Sequence, residues 1–274
     1  MRVLFLSFLL LCCATDASAA QPSQRDRAIA ITAELQAHGQ RYEGRHITLW
    51  VERDRLDEAG ARAFLAQLDR GVEVIRDYLG RHVDEPVSPR RLEMYLSPKE
   101  GIAHVRGDIP TMIYVPVRRV REGTAPYLHE IVHALASWSW RHSEWLGEGL
   151  ANHVAQAVEA RSGGYHHSVV LPDRLEGIAR HLASPEGVEM LALVGPRGRR
   201  SNYPPALDAL FRKMMANRPA YAPAFYAQSW SFVDFLVERH GLDGLRAHAA
   251  APAGTLDIPR LKREWIKTLG TTPS

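Results

Sequence analysis

The chain has 274 residues, of which 46% are hydrophobic and 24% charged, and its formal net charge is +3. This composition is that of an ordinary globular protein, and it excludes a fibrous or intrinsically disordered chain. The net charge is small and comes mostly from arginine, so it gives no reason to expect a nucleic-acid partner.

Residues 1–20 have the pattern of a secretory signal peptide. A basic start is followed by an apolar run over 3–14 and then by small residues that form an A-x-A site. The run is too short to span a membrane, and we expect cleavage near Ala19 or Ala20. Both cysteines of the sequence lie in this segment, so the mature chain is expected to have no disulfide. These features predict a periplasmic or secreted protein that keeps no integral membrane segment after cleavage.

The remaining chain is predicted to be α+β, with a small mixed sheet and a long helix first and a mainly helical part afterwards. We divide it into an N-terminal helical segment (21–45), an α/β lobe (46–125) and a helical lobe (126–274). The long helix is amphipathic and ends at Gly80. The predicted strands cover 46–51, 92–96 and 111–117, and the predicted helices cover 25–38, 59–79, a segment running to His142, 148–159, 203–217, 225–240 and 258–269.

A helical H-E-x-x-H segment begins at His129 and precedes a W-x-x-E-G-L-A segment. Residues four apart lie on one helix face, so His129 and His133 can direct two imidazole nitrogens to one point. Zn²⁺ in a hydrolytic site takes three His or carboxylate ligands, and Glu148 is the expected third. Glu130 lies about 100° around the helix, so it is expected to act as the general base on the zinc-bound water rather than as a ligand.

The pair H-E-I-V-H and E-G-L-A resembles the gluzincin metallopeptidases, the group of thermolysin and aminopeptidase N, and most of all their small peptidase MA-like members. The resemblance implies a zincin-like fold with a zinc cleft between the lobes. It also implies the roles already given to His129, His133, Glu148 and Glu130. Thermolysin-like enzymes have an Asp four residues after the ligand Glu that orients a zinc-bound His. Asn152 occupies that position here, where it can still accept the imidazole N–H.

The resemblance implies one further feature of the cleft. In gluzincins a strand beside the catalytic helix forms the cleft edge, and strand 111–117 has the corresponding place, with Pro116 suited to an edge. An ordinary core strand is an equal alternative. Thr124 and Pro126 are expected as cap and first-turn residues of the zinc helix.

The segment at Tyr226 resembles a Y-x-Q-S helix found after the zinc site in peptidase MA-like proteins. Tyr226 is the candidate donor to the oxyanion that forms during amide hydrolysis. The alternative is a core position, because Tyr226 continues an apolar stripe with Trp230, Val233 and Val237. Weaker site candidates are His142, His153, His166, His167 and Tyr203.

The expected function is that of an exported zinc-dependent endopeptidase that hydrolyses peptide bonds of a peptide or protein substrate. The sequence has no G-x-M-E-N segment, so exopeptidase action of the aminopeptidase N type is not supported. Two alternatives stay open: an inactive metallopeptidase fold that binds peptides or envelope proteins, and an amide hydrolase acting on peptidoglycan stem peptides. The sequence does not indicate an oligomeric state.

Overall fold

The computed structural model describes residues 23–84, 91–98, 103–106, 108–162, 178, 180, 182–252 and 254–270. The predicted α+β class is confirmed, because one five-stranded sheet in the first half is followed by a helical second half. The predicted signal segment lies outside the described residues. Within them, no helix combines the length and the apolar character needed to cross a membrane.

The sheet has the strand order β1-β2-β3-β5-β4 and mixes parallel with antiparallel pairs. The central strand β3 pairs in parallel with both β2 and β5. At the two edges β1 pairs antiparallel with β2, and β4 pairs antiparallel with β5. The three central strands were predicted, and the two short edge strands were not. The strands are β1 (Gln40–Glu43), β2 (Ile47–Val51), β3 (Leu92–Ser97), β4 (His104–Arg106) and β5 (Ile109–Pro116).

The interpretation of strand 111–117 as the cleft edge is wrong. β5 lies between β3 and β4, so the edge is β4, a strand too short to show an alternating pattern. Pro116 is the last residue of β5 and is opposite Ser97 at the end of β3. A proline at a strand end removes no hydrogen bond from the middle of the ladder, which explains why it is tolerated in an interior strand.

Helices cover both faces of the sheet. On one face α1 (Gln24–His38) packs Ala28 and Leu35 against Tyr95 and Tyr114 of the sheet. On the other face lie α2 (Glu58–Leu79) and the helix of the H-E-x-x-H segment, within the main hydrophobic core. The helices that follow β5 are α3 (Val117–Arg121), α4 (Tyr127–Leu135), α5 (Ser137–His142), α6 (Glu144–Ser162), α7 (Pro185–Met190), α8 (Pro205–Ala216), α9 (Arg218–Ala250) and α10 (Ile258–Thr268). Short 3₁₀ turns cover Gly80–His82, Leu191–Leu193 and Arg200–Asn202.

The bounds of the H-E-x-x-H helix and of the helix α6 that follows α5 correct three predictions. It begins at Tyr127 with Pro126 at the cap position, and Thr124 bonds back to the Arg119 carbonyl instead of capping it. It ends at Leu135, because Ala136 leaves the helical region (φ −127°, ψ 50°), so the segment up to His142 is a separate helix, α5. The next helix, α6, begins at Glu144 rather than at Glu148.

Helix α9 forms the other side of the core around α6. It begins earlier than predicted, at Arg218, and its helical geometry is interrupted at Gly241 (φ 65°, ψ 176°), where the sequence predicts its end. Gly149 of α6 faces the backbone of α9 so closely that an added Cβ would lie 2.4 Å from the Ser229 carbonyl oxygen. A glycine is therefore needed for these helices to approach, and this contact positions Glu148.

Candidate metal centre

His129, His133 and Glu148 meet at one point at the bottom of a cleft. Nε2 of His129 lies 3.0 Å from Nε2 of His133 and 3.1 Å from Oε2 of Glu148, and His133 Nε2 lies 3.6 Å from the same oxygen. Within the described residues this is the set of His, Cys, Asp and Glu side chains arranged to hold a metal ion. The sequence predicted these three residues as ligands, and the structure brings them together.

Local structure explains the convergence. The two histidines are one helical turn apart on α4, and their rings are nearly perpendicular (88°). Every residue of α4 is buried, so the helix is fixed on all sides. Glu148 comes from the second turn of α6, which packs against both α4 and α9.

Asn152 lies where the resemblance placed it, one turn after Glu148 on α6. Its Oδ1 is 2.9 Å from Nδ1 of His129, and both side chains are buried. In this arrangement Nδ1–H donates to the amide oxygen, which leaves a lone pair on Nε2 directed at the centre of the cluster. Asn152 therefore holds His129 in the tautomer that a metal ligand needs.

The donor set fits a divalent transition metal. The lone pair on His129 Nε2 faces a carboxylate oxygen at 3.1 Å, an arrangement that is repulsive unless a cation or a proton lies between the atoms. Two neutral imidazoles and one carboxylate suit zinc and leave it positively charged. Burial acts to raise the pKa of Glu148, but hydrogen bonds and charge from His129 and His133 outweigh burial and lower it strongly.

Glu130 follows His129 on α4 and lines the same cleft, although its side chain is only 5% exposed. Burial raises its pKa to about 7, the nearby His129 and Arg119 act to lower it, and Glu148 acts to raise it. The carboxyl is therefore placed beside the cluster and not within it. A carboxyl with a pKa near neutrality is suited to exchanging a proton at physiological pH.

The cleft has a volume of about 770 Å³ and lies between the sheet edge and the helical half. Strand β4 and the start of α1 line one side, and the 3₁₀ region near Arg199, α8 and the start of α9 line the other. The candidate metal ligands and Glu130 form its floor. This volume is in the range of pockets that bind small molecules and cofactors.

Tyr226 faces the cleft and is only partly buried, whereas its neighbours Trp230 and Val233 are in the core. Its hydroxyl accepts a hydrogen bond from Nη2 of Arg218 at 3.2 Å. Burial and the charge of Glu148 raise the pKa of Tyr226, so the phenol keeps its proton. Tyr226 therefore lines the cleft and also packs against the main hydrophobic core.

The weaker candidates that the structure describes do not line the cleft. His153 is bonded to Tyr78 (2.7 Å) and Asp234 (2.9 Å), and the ring of His142 packs against His248. Tyr203 is buried and does not line the main cleft. His166 and His167 lie outside the described residues.

Sequence reasoning missed several residues that line the cleft. Arg119, Arg199 and Arg218 reach it from three different elements, and Trp140 supports one wall. Arginine is abundant in this chain, and these three lie in no shared motif, so their common location could be found only from the fold.

No protein-family model matches the chain, and no curated protein matches it significantly. The fold and the site therefore define the class: an α+β protein with a buried His–His–Glu cluster that could bind a metal ion.

Proposed function

We propose that this protein is a zinc metallopeptidase of the gluzincin type, similar to the peptidase MA-like group, with a zincin-like fold. The observation that carries the proposal is the convergence of His129, His133 and Glu148 with the buried carboxyl of Glu130 beside them. A structural metal site would not need an adjacent, unliganded carboxyl in an open cleft. The predicted signal peptide makes export to the periplasm or exterior part of the same proposal.

Each side chain would have a distinct task in amide hydrolysis. Zinc held by His129, His133 and Glu148 would supply Lewis acidity and lower the pKa of water. Glu130 would accept the proton of the attacking water and transfer it to the leaving amine, as general base and then general acid. Tyr226 would donate its hydroxyl proton in a hydrogen bond to the developing oxyanion.

The test is the isosteric variant Glu130→Gln in the purified mature protein. We expect about one equivalent of zinc in both wild type and variant, because Glu130 is not placed as a ligand. Peptide hydrolysis should fall by about 10²- to 10⁴-fold in the variant, the usual contribution of a general base. Glu58→Gln, on the exposed face of α2, is the matched control and should change neither property.

Two results would contradict the proposal. One is a wild-type protein that binds no zinc at micromolar concentration. The other is a Glu130→Gln variant that binds peptides as well as wild type while neither protein cleaves any member of a broad peptide library, which would favour the inactive binding fold. Digestion of isolated muropeptides would separate stem-peptide hydrolysis from general proteolysis.

A further inference from the structure

Five arginines and four carboxylates line the cleft, so arginines outnumber carboxylates by one. Most of them already have a partner or a role. Asp108 is bonded to Arg106 at 2.7 Å and lies 3.4 Å from Arg25, on the sheet side of the cleft. Glu144 accepts the backbone N–H of Arg200 at 2.7 Å. The other two carboxylates, Glu130 and Glu148, belong to the candidate metal centre, and Arg119 acts electrostatically on Glu130.

Arg218 and Arg199 remain, both on the helical side. Across the described part of the chain, neither forms an ion pair with a carboxylate. Arg218 is partly buried at the first residue of α9 and donates to the Tyr226 hydroxyl (3.2 Å) and to the sulfur of Met215 (3.3 Å). These are neutral acceptors, so within the described residues its positive charge lines the cleft with no carboxylate at ion-pair distance.

The side chain of Arg199, an exposed residue, lies over an aromatic ring. Its guanidinium carbon lies 4.9 Å from the centroid of the Trp140 ring. The indole Nε1–H of Trp140 donates in turn to the carbonyl oxygen of the candidate ligand His133 at 3.1 Å. A cation–π contact orients a guanidinium without neutralising it, and it leaves the N–H groups at the edge able to bind an anion.

We propose that Arg218 and Arg199 form a carboxylate-binding wall, so that the preferred substrates are peptides with a negative charge close to the cleaved bond. The inference rests on the proposed function and names its substrate class. Arg218 contacts the same Tyr226 hydroxyl that would bind the oxyanion, so a carboxylate held there lies near the reacting amide. The planar guanidinium fork matches a carboxylate in two parallel hydrogen bonds.

The carboxylate has two sources, and matched peptides distinguish them. One fluorogenic series differs only in Glu against Gln at the positions flanking the cleaved bond. A second differs only in a free or amidated C-terminus close to that bond. We expect the zinc-loaded wild type to favour the charged member of one series by about 10- to 100-fold in kcat/KM, the range for charge-assisted hydrogen bonds.

Variants assign the preference to the two arginines. Arg218→Gln and Arg199→Gln should each reduce the charged-to-neutral ratio, mainly through KM, and the double variant should bring it close to one. Arg218→Lys should recover part of the ratio, since it keeps the charge and loses the fork. Arg260→Gln, an exposed arginine outside the cleft, is the control. Because the ratio is measured within each variant, a general loss of activity from the altered Tyr226 contact does not affect it.

Binding provides a readout that does not need turnover. Fluorescence anisotropy with the same peptides and Glu130→Gln protein, with and without added zinc, should show the same preference and the same loss in the arginine variants. If the preference persists in binding but no peptide is cleaved, the proposed function fails and the carboxylate wall stands. If wild type shows no preference for charge, or the double variant keeps it in a folded protein, the inference is overturned.

Discussion

Substitution of Gly149 by alanine tests the packing that positions the third ligand. A Cβ at this position would lie 2.4 Å from the carbonyl oxygen of Ser229 and 2.5 Å from Cγ2 of Val233, whereas ordinary contacts begin at 3.4 Å. The valine methyl can rotate, but the Ser229 carbonyl belongs to the backbone of α9 and cannot. The two helices must therefore separate by about 1 Å to accept the methyl group.

The expected cost follows from two opposing effects. Overpacking a well-packed interior destabilises by about 1–3 kcal/mol, and a backbone clash belongs in the upper part of that range. The higher helix propensity of alanine stabilises the folded protein by about 0.8–1 kcal/mol relative to glycine. The net loss in unfolding free energy is about 2 kcal/mol. Since Glu148 precedes Gly149, the same movement displaces its carboxylate from the imidazoles, and zinc affinity should fall by about tenfold or more.

Urea unfolding and zinc titration against a competing chelator measure the two effects separately. Gly71→Ala on α2 is the comparison, because its Cβ would meet side-chain atoms only, Cδ2 of Leu128 at 2.9 Å and Cε2 of Tyr127 at 3.3 Å. We expect that variant to lose less stability than Gly149→Ala. If Gly149→Ala is as stable as wild type and binds zinc equally well, the close helix approach does not position Glu148, and our account of the site geometry is incorrect.

Two further predictions concern histidine environments. Asn152→Ala removes the acceptor of His129 Nδ1–H, so zinc affinity should fall by about 10- to 100-fold in a chelator competition assay. Asn152→Asp keeps an acceptor and should retain or increase the affinity. Equal zinc affinities in wild type and both variants would show that the contact has no role. Burial, together with the charges of His248 and Arg197, lowers the pKa of His142 to about 4. Below pH ~6.5 the unfolded chain therefore binds a proton at His142, whereas the folded chain stays unprotonated there until the pH approaches 4. The free energy of unfolding should fall by up to about 2 kcal/mol between pH 7 and pH 5. His142→Gln should flatten that part of the urea-unfolding profile, and an unchanged slope would contradict the assignment.

The sequence predicted those helices and strands in which a single hydrophobic period dominates. The amphipathic pattern of α2 and its glycine stop were predicted almost to the residue, and so were strands β2 and β3. The ligand pair on α4 follows from helical geometry alone, because residues four apart must share a face. These features depend on local spacing, which the sequence displays directly.

The features that the sequence did not predict depend on tertiary packing. The helix break at Ala136 has no glycine or proline to signal it. It is stabilised by contacts from elsewhere, since the Trp138 indole donates to the His82 carbonyl (3.0 Å) and the Asp84 N–H donates to the Leu135 carbonyl (2.8 Å). The edge strand β4 is too short for a pattern, and its pairing with β5 is long-range information. Likewise, nothing local connects Arg218 with Arg199 on the helical side of the cleft.

One tryptophan connects the two helices that carry the cluster. Trp140 of α5 donates its indole N–H to the His133 carbonyl at 3.1 Å, and an added Cβ on Gly147 would lie 2.4 Å from the Cβ of Trp140. The same tryptophan therefore contacts the end of the histidine helix and the start of the glutamate helix. Both helices are held by these protein contacts, so we expect metal affinity to depend on the packing around Trp140 as well as on the ligands themselves.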